Sequence, residues 1–229
     1  MIPVVLLPGL MCDARLFAPQ IAQLSTLHAV HVAPFLDDSI DAIAASILAN
    51  APPRFALAGL SMGGIVAMRI AALAPDRVDR LALFDTNARA ETIEAQARRG
   101  PQIQRAQDGG LAEVMRNEMK PRYLAEGPGR AGLLDLCLDM ALGLGAEIFA
   151  RQSTALKTRP DQRASLAAYH GPVLVAHGVD DSLCPPEYHD EMHALCANSI
   201  LRRIKKAAHL PTLENPAATN AALMEWLEM

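Results

Sequence analysis

Phe55-Ala-Leu-Ala-Gly59-Leu-Ser61-Met-Gly63-Gly-Ile-Val-Ala-Met-Arg-Ile-Ala-Ala72 decides how the rest of the chain is read. An apolar run ends at Gly59, one serine stands between glycines, and a stretch apolar enough for a buried helix follows. Gly59-Leu60-Ser61-Met62-Gly63 fits G-x-S-x-G, the spacing of a sharp turn from strand into helix. The serine of such a turn takes strained backbone angles, and side chains at Gly59 or Gly63 would collide with the neighbouring strand and helix. The turn lifts the Ser61 hydroxyl above a sheet edge, beside the positive end of the following helix. The pentapeptide alone fits many plain turns. A strand before it and a helix after it favour a placed nucleophile.

Upstream, Val4-Val5-Leu6-Leu7 is a continuous apolar run closed by Pro8-Gly9, the pattern of a strand buried on both faces of a parallel sheet. A helix is expected over 14–24, a strand over 28–33, and a helix over 37–50 with Ile40, Ile43, Ala44, Ile47 and Leu48 on one face. Downstream, the helix after Ser61 stops at Ala74-Pro75, and Leu81-Ala-Leu-Phe84 reads as a fourth strand with Asp85-Thr86-Asn87 at its carboxyl end. This alternation predicts a parallel sheet. From Arg89 to Ala168 it stops: the stretch favours helix, with breaks expected at Gly100-Pro101, Gly109-Gly110, Gly127-Pro128-Gly129 and Arg159-Pro160. Strand rhythm returns at 172–176, then a helix over 186–196, a strand over 199–204 and a last helix over 216–227. The helical stretch reads as an insertion lying over the carboxyl edge of a sheet of about six strands.

Composition bounds the rest. A chain of 229 residues with 51% hydrophobic and 4% aromatic residues builds its core from Ala, Leu, Val, Ile and Met, and is long enough to do so without staples. A net charge of −4, with both signs mixed along the chain, gives no reason to expect nucleic acid or an anionic membrane as partner. Cys12, Cys137, Cys184 and Cys196 have no zinc-ligand spacing and read as reduced, mostly buried thiols. Pro8-Gly9 cuts the first apolar run short, and no stretch approaches the ~20 apolar residues of a membrane span. The expectation is a soluble, cytoplasmic protein.

Polar residues at the carboxyl ends of parallel strands are the first candidates for chemistry. Three sets qualify: Pro8-Gly9-Leu10-Met11, His177-Gly-Val-Asp-Asp181-Ser-Leu-Cys-Pro185, and Ala207-Ala208-His209-Leu-Pro-Thr-Leu-Glu214-Asn-Pro216. A serine hydroxyl is protonated at neutral pH, so it needs an imidazole to take its proton, and the imidazole needs a carboxylate to orient it. Ser61, Asp181 and His209 supply these groups in that chain order. The backbone N–H groups of Leu10 and Met62 are candidates for the two donors that an oxyanion requires.

In these pieces the chain resembles the α/β-hydrolase family: LLPGL at 6–10, GLSMGG at 59–64, HGVDDSLCP at 177–185 and AHLPTLENP at 208–216. The resemblance implies the α/β-hydrolase fold, with a core of residues 1–88 and 169–229 and a helical cap of residues 89–168. It puts the acid on Asp181, with Pro185 closing its turn, and the base on His209, with Glu214 and Pro216 starting the last helix. The segment from Arg151 to Asp161 resembles the one by which small esterase-like members re-enter the sheet. The chain departs from the pattern in starting directly at the strand that ends in the oxyanion loop, in Pro8-Gly9 where many members have His-Gly, and in Ala208 where glycine often precedes the histidine. The shortened N-terminus leaves one sheet edge less covered, which favours a homodimer.

Several residues compete for roles. Asp85 is the rival acid, because some family members place it after the strand preceding the cap; Asp180 reads as a solvated turn residue. His177 reads as structural, and His189 and His193, one residue off the H-E-x-x-H pattern, as a surface helix face. Cys12 and Cys184 read as neighbours of the site rather than nucleophiles. Leu136, Leu138 and Met140 read as mostly core, with a minority of such residues lining an apolar pocket. The resemblance and the residues together imply a serine hydrolase of small or medium carboxylic esters that needs no metal or organic cofactor. The alternatives are a C–C bond hydrolase of ring-fission products or a lactonase on the same triad, and, from another class, a ligand-binding relative with negligible turnover.

Overall fold

The computed structural model describes all residues, 1–229. Six strands form one sheet: β1 (Val4–Leu7), β2 (Val30–Val32), β3 (Phe55–Leu60), β4 (Val78–Phe84), β5 (Val173–Gly178) and β6 (Ser199–Ile204), in the order β2-β1-β3-β4-β5-β6. All five pairings are parallel. Between them run α1 (Ala18–Leu24), entered through a 3-10 turn at Ala14–Phe17, α2 (Ile40–Asn50) and α3 (Met62–Leu73). The chain steps from β1 out to β2 and then back past β1 to β3. The order therefore reverses between β1 and β3, where the crevice of an open parallel sheet lies.

Alternating side chains explain why the strands read as unbroken apolar runs. Val5, Leu7, Leu57, Leu81, Leu83 and Val175 enter a core beneath α2 and α3, while Val4, Leu6, Ala58, Phe84 and Leu174 enter a second core on the opposite face. Both faces are dry, so neither needs polar positions. Each large side chain sealed there contributes roughly 1.5–3 kcal/mol. Helix α3 is buried at nine of its positions because it lies between the sheet and helix α2. Ser39 caps α2 by accepting from the Ala42 N–H at 3.1 Å, which starts that helix at Ile40, where its apolar face begins, rather than at the expected 37.

No strand lies between β4 and β5. That stretch holds α4 (Ile93–Arg105), a π turn at Ala106–Gly110, the short α5 (Leu111–Glu113), a second π turn at Val114–Met119, a 3-10 turn at Lys120–Arg122, α6 (Arg130–Lys157) and α7 (Arg163–Ala167). The break expected at Gly100-Pro101 does not occur: Pro101 sits inside α4. No residue of α4 is buried, so the carbonyl freed at Ala97, itself exposed, can be met by water. The helical run of α4 and the π turn after it is broken instead at Gly109, which takes φ 94°. Helix α6 is kinked at Gly145, with φ 85°. After β5, α8 (Pro186–Leu195) precedes β6, and α9 (Pro211–Glu214) and α10 (Pro216–Glu228) close the chain. No helix is long and apolar enough to cross a membrane.

Candidate active site

Ser61 stands between β3 and α3 with φ 55° and ψ −116°, a conformation that costs roughly 1–3 kcal/mol and must be held from outside. Its N–H donates to the Phe84 carbonyl at 2.9 Å, and the Thr86 hydroxyl donates to its carbonyl at 2.8 Å. A Cβ on Gly59 would overlap the Gly63 carbonyl, and one on Gly63 would overlap the Leu7 carbonyl. The two glycines thus let strand, turn and helix meet at contact distance.

His209 lies in the loop between β6 and α9, and Asp181 in the loop after β5; both are buried. Asp181 Oδ2 is 2.9 Å from His209 Nδ1, and His209 Nε2 is 2.9 Å from Ser61 Oγ. An ionised carboxylate only accepts, so Nδ1 carries the proton, and in the neutral ring Nε2 accepts from the serine hydroxyl. Asp181 Oδ1 accepts from the N–H groups of Leu183 at 2.7 Å and Cys184 at 3.1 Å. Burial pushes this carboxyl up, but His209 and the two N–H groups outweigh it and hold the group below the ordinary carboxylate value.

The histidine loop is pinned from behind. Glu214 accepts from Ala208 N–H at 2.9 Å, Leu210 N–H at 3.1 Å and Ala125 N–H at 2.7 Å, while His209 N–H donates to the Tyr123 carbonyl at 3.0 Å. Glu214, the last residue of α9 rather than part of the last helix, thus ties the histidine loop to the segment ahead of α6.

Leu10 and Met62 flank Ser61. Met62 is the first residue of α3, so its N–H has no partner within the helix, and Leu10 N–H makes no hydrogen bond. A Cβ on Gly9 would stand 3.5 Å from Ser61 Cβ, which places this loop directly against the serine. The next residue, Met11, takes φ 55°, and its N–H donates to Gln152 Oε1 at 2.9 Å. Gln152 Nε2 in turn donates to the Phe35 carbonyl at 3.2 Å. Sequence reading passed over Gln152, a buried amide from α6 that holds the loop carrying Leu10. Its signal was a polar residue on the helix face it shares with Ile148, Phe149, Ala155 and Leu156.

Asp85 does not reach the histidine. It is fully buried at the end of β4 with φ 44°, its Oδ1 accepts from Gly178 N–H at 2.9 Å, and its Oδ2 has no partner. Burial, then the charge of Asp181, push its carboxyl well above the ordinary value, which favours its neutral form. Asp180 is exposed. The surface reading of His189 is overturned: it is fully buried, stacks on His177 with ring centroids 4.4 Å apart, and accepts from Thr86 N–H at 3.2 Å. Helix α8 turns that face inward because β5 and the loop after β4 both lie against it. Burial, then His177, lower the His189 pKa to about 3. His193 instead faces Ser199, with Nδ1 2.7 Å from its hydroxyl.

All four cysteines are buried and unpaired. Donor atoms of Asp181, Cys184 and His209 lie within 4.8 Å of one another, but the set does not suit a metal. Both Asp181 oxygens are already hydrogen-bonded, and burial, then Asp181 and Asp85, push the Cys184 thiol up, away from the thiolate that ligation requires.

Ser61 and His209 open into a cavity of about 420 Å³ between the sheet edge and the helical stretch. The expected apolar lining is present in part: Leu10, Met62, Ile65, Met119, Leu156 and Leu183 face the cavity, beside charged groups that the sequence reading did not place there. Leu136, Leu138 and Met140 pack into the cores, and the cavity wall carries Arg89, Arg98, Arg99, Arg122 and Arg159 against Glu91 and Glu118. Helix α4 contributes because its exposed, charged face turns toward the site and not only toward solvent.

The sequence profile of the alpha/beta hydrolase family matches residues 4–222. The chain belongs to that family. This hydrolase is 26% identical over 201 residues to a pimeloyl-[acyl-carrier protein] methyl ester esterase of Neisseria meningitidis serogroup C, covering 86% of this chain and 78% of that one. A protein of the same description from Chromobacterium violaceum is 26% identical, over 98% of this chain and 94% of the relative. Among solved structures, a thermophilic esterase from Thermogutta terrifontis with malate bound superposes with a TM-score of 0.90 at 29% identity, covering 100% of this chain and 90% of that one. The enol-lactonase from Burkholderia xenovorans LB400, at 24% identity and a TM-score of 0.89 over 100% of this chain and 92% of that one, shares the fold.

Proposed function

We propose that this hydrolase cleaves small or medium carboxylic esters through an acyl-enzyme on Ser61. The observation that carries the reading is the unbroken relay from Asp181 through His209 to the Ser61 hydroxyl at the wall of a cavity. Names of the relatives, methyl ester esterases and an esterase, support an ester as the substrate class. In this reading residues 1–88 and 169–229 form the core and 89–168 the cap over the site.

Ser61 Oγ attacks the ester carbonyl carbon as its proton passes to His209 Nε2. The carbonyl oxygen becomes an oxyanion, met by the N–H groups of Leu10 and Met62. Asp181 stabilises the imidazolium. The carbon–oxygen bond to the alcohol breaks as His209 returns the proton to the departing oxygen, leaving the acyl group on Ser61. Water then attacks with His209 as base, and the acid and the free serine result.

A fluorophosphonate probe is expected to label the wild-type chain once, on Ser61, and p-nitrophenyl esters to turn over continuously. Ser61→Ala is expected to lose both. Labelling that persists elsewhere in the variant overturns the assignment of the nucleophile, and a burst of product without turnover favours a binding protein.

A further inference from the structure

Arg159, just beyond α6, is a charged group that ester hydrolysis leaves without a task. It lines the cavity with Ser61 and His209, yet its side chain is only 10% exposed. A guanidinium taken that far from water needs full pairing, and this one is underpaired. Nη2 has two long contacts, 3.4 Å to Asn87 Oδ1 and 3.3 Å to Glu91 Oε1; Nε has no partner, and Nη1 donates no hydrogen bond.

Glu91 cannot neutralise it alone, because Glu91 is already committed. Its Oε2 accepts from Arg99 Nε at 2.9 Å and also from Arg99 Nη2. Arg99 and Glu91 are 14% and 7% exposed, so the three form a half-hidden cluster with two positive charges and one negative. Burial, ahead of the attraction of Glu91, pulls the Arg159 pKa down, the mark of a cation short of a counter-charge. The cluster adjoins the catalytic groups: Asn87 donates from Nδ2 to Cys184 Sγ at 3.9 Å, and Cys184 neighbours Asp181 and His209.

We propose that Arg159, with Arg99, forms a carboxylate-binding subsite, so that the substrate is an ester of a dicarboxylic acid with its second carboxylate free. This rests on Ser61 being the hydrolytic nucleophile. The surplus of one positive charge fits a single carboxylate, and a phosphate dianion overshoots it. Planar guanidinium donors match the two oxygens of a carboxylate. Arg98 and Arg122, which also line the cavity, draw an anion toward it on a protein whose net charge is −4.

The test compares p-nitrophenyl monoesters of succinic, glutaric and adipic acid with neutral p-nitrophenyl esters of matched length. At least one monoester is expected to exceed its neutral match in kcat/KM by about tenfold to a hundredfold, chiefly through KM, with an advantage that shrinks in salt. Arg159→Gln is expected to remove most of that ratio, Arg159→Lys to restore part of it, and Glu91→Gln to increase it. Arg202→Gln, which breaks a surface pair with Glu225, leaves it unchanged. Glutarate binding by calorimetry, against valerate, gives a readout independent of turnover. Hydrolysis of neutral esters with no preference for any anionic one overturns the subsite and leaves the hydrolase reading standing. Glutarate binding that depends on Arg159, without turnover of any ester, leaves the subsite and overturns the reading it was built on.

Discussion

At the scale of single residues, two buried aspartates at neighbouring strand ends do opposite work. His209 and two N–H groups hold Asp181 below the ordinary carboxylate value, while burial and the charge of Asp181 push Asp85, with one N–H and a bare oxygen, well above it. Asp181→Asn is expected to cripple kcat while leaving KM and folding nearly intact; the corresponding change in a serine protease lowers kcat on the order of ten-thousandfold. Asp85→Asn keeps the acceptor for Gly178 N–H and adds a donor where Oδ2 has no partner, so kcat is expected to change little. Stability should respond instead. The unfolded chain releases the Asp85 proton as pH rises through the ordinary 3.8 while the folded chain keeps it, so this residue lowers stability progressively above that pH. The melting temperature gained by Asp85→Asn should therefore be larger at neutral pH than near 3.8. Loss of activity in Asp85→Asn with Asp181→Asn still active reverses the assignment.

At the scale of elements, the loops that carry Leu10 and His209 are short and irregular, and polar side chains from elsewhere hold each of them. Gln152 reaches from α6 to Met11 N–H, and Glu214 gathers three N–H groups around His209. Leaving a buried backbone donor unmet costs about 1–3 kcal/mol. Gln152→Leu is expected to lower stability by that order and to reduce kcat more than KM, because the Leu10 N–H then loses its fixed aim. Glu214→Gln, which can accept through only one oxygen, is expected to reduce kcat through His209. Steady-state kinetics beside urea unfolding check both. Unchanged kcat in Gln152→Leu, with only the stability loss, assigns Gln152 to packing alone.

For the whole molecule, acid stability follows from the buried imidazole stack. The His189 pKa is about 3 in the folded chain against 6.5 ordinarily, so the unfolded chain takes up a proton in this range that the folded chain refuses. Stability is expected to fall as pH drops from 6.5 toward about 3. Asp181 adds a further loss as pH falls from the ordinary 3.8 through its depressed folded value. His189→Gln preserves an acceptor for Thr86 N–H and removes the titration, so its urea midpoint should vary less over that range. An equal slope in the variant overturns the role given to His189.

The sequence by itself determined the sheet and the residues that meet at its edge. Continuous apolar runs closed by Pro and Gly have few other uses than strands buried on both faces, and G-x-S-x-G needs its glycines because Gly63 packs on the Leu7 carbonyl. Ser61, Asp181, His209, Leu10 and Met62 were all legible, since each belongs to a local pattern of a few residues. What surrounds them was not. Pro101 inside α4 depends on that helix being solvated, the burial of His189 depends on which face α8 turns inward, and Gln152 meets Met11 across 141 positions of sequence. The cavity is the clearest case. The residues from 89 to 159 contain apolar and charged side chains in abundance, and local periodicity cannot say which face of a surface helix looks down on Ser61. Only the packing of the helices over the sheet put arginines there beside the apolar residues, while Leu136 and Met140 went to the core as their pattern suggested.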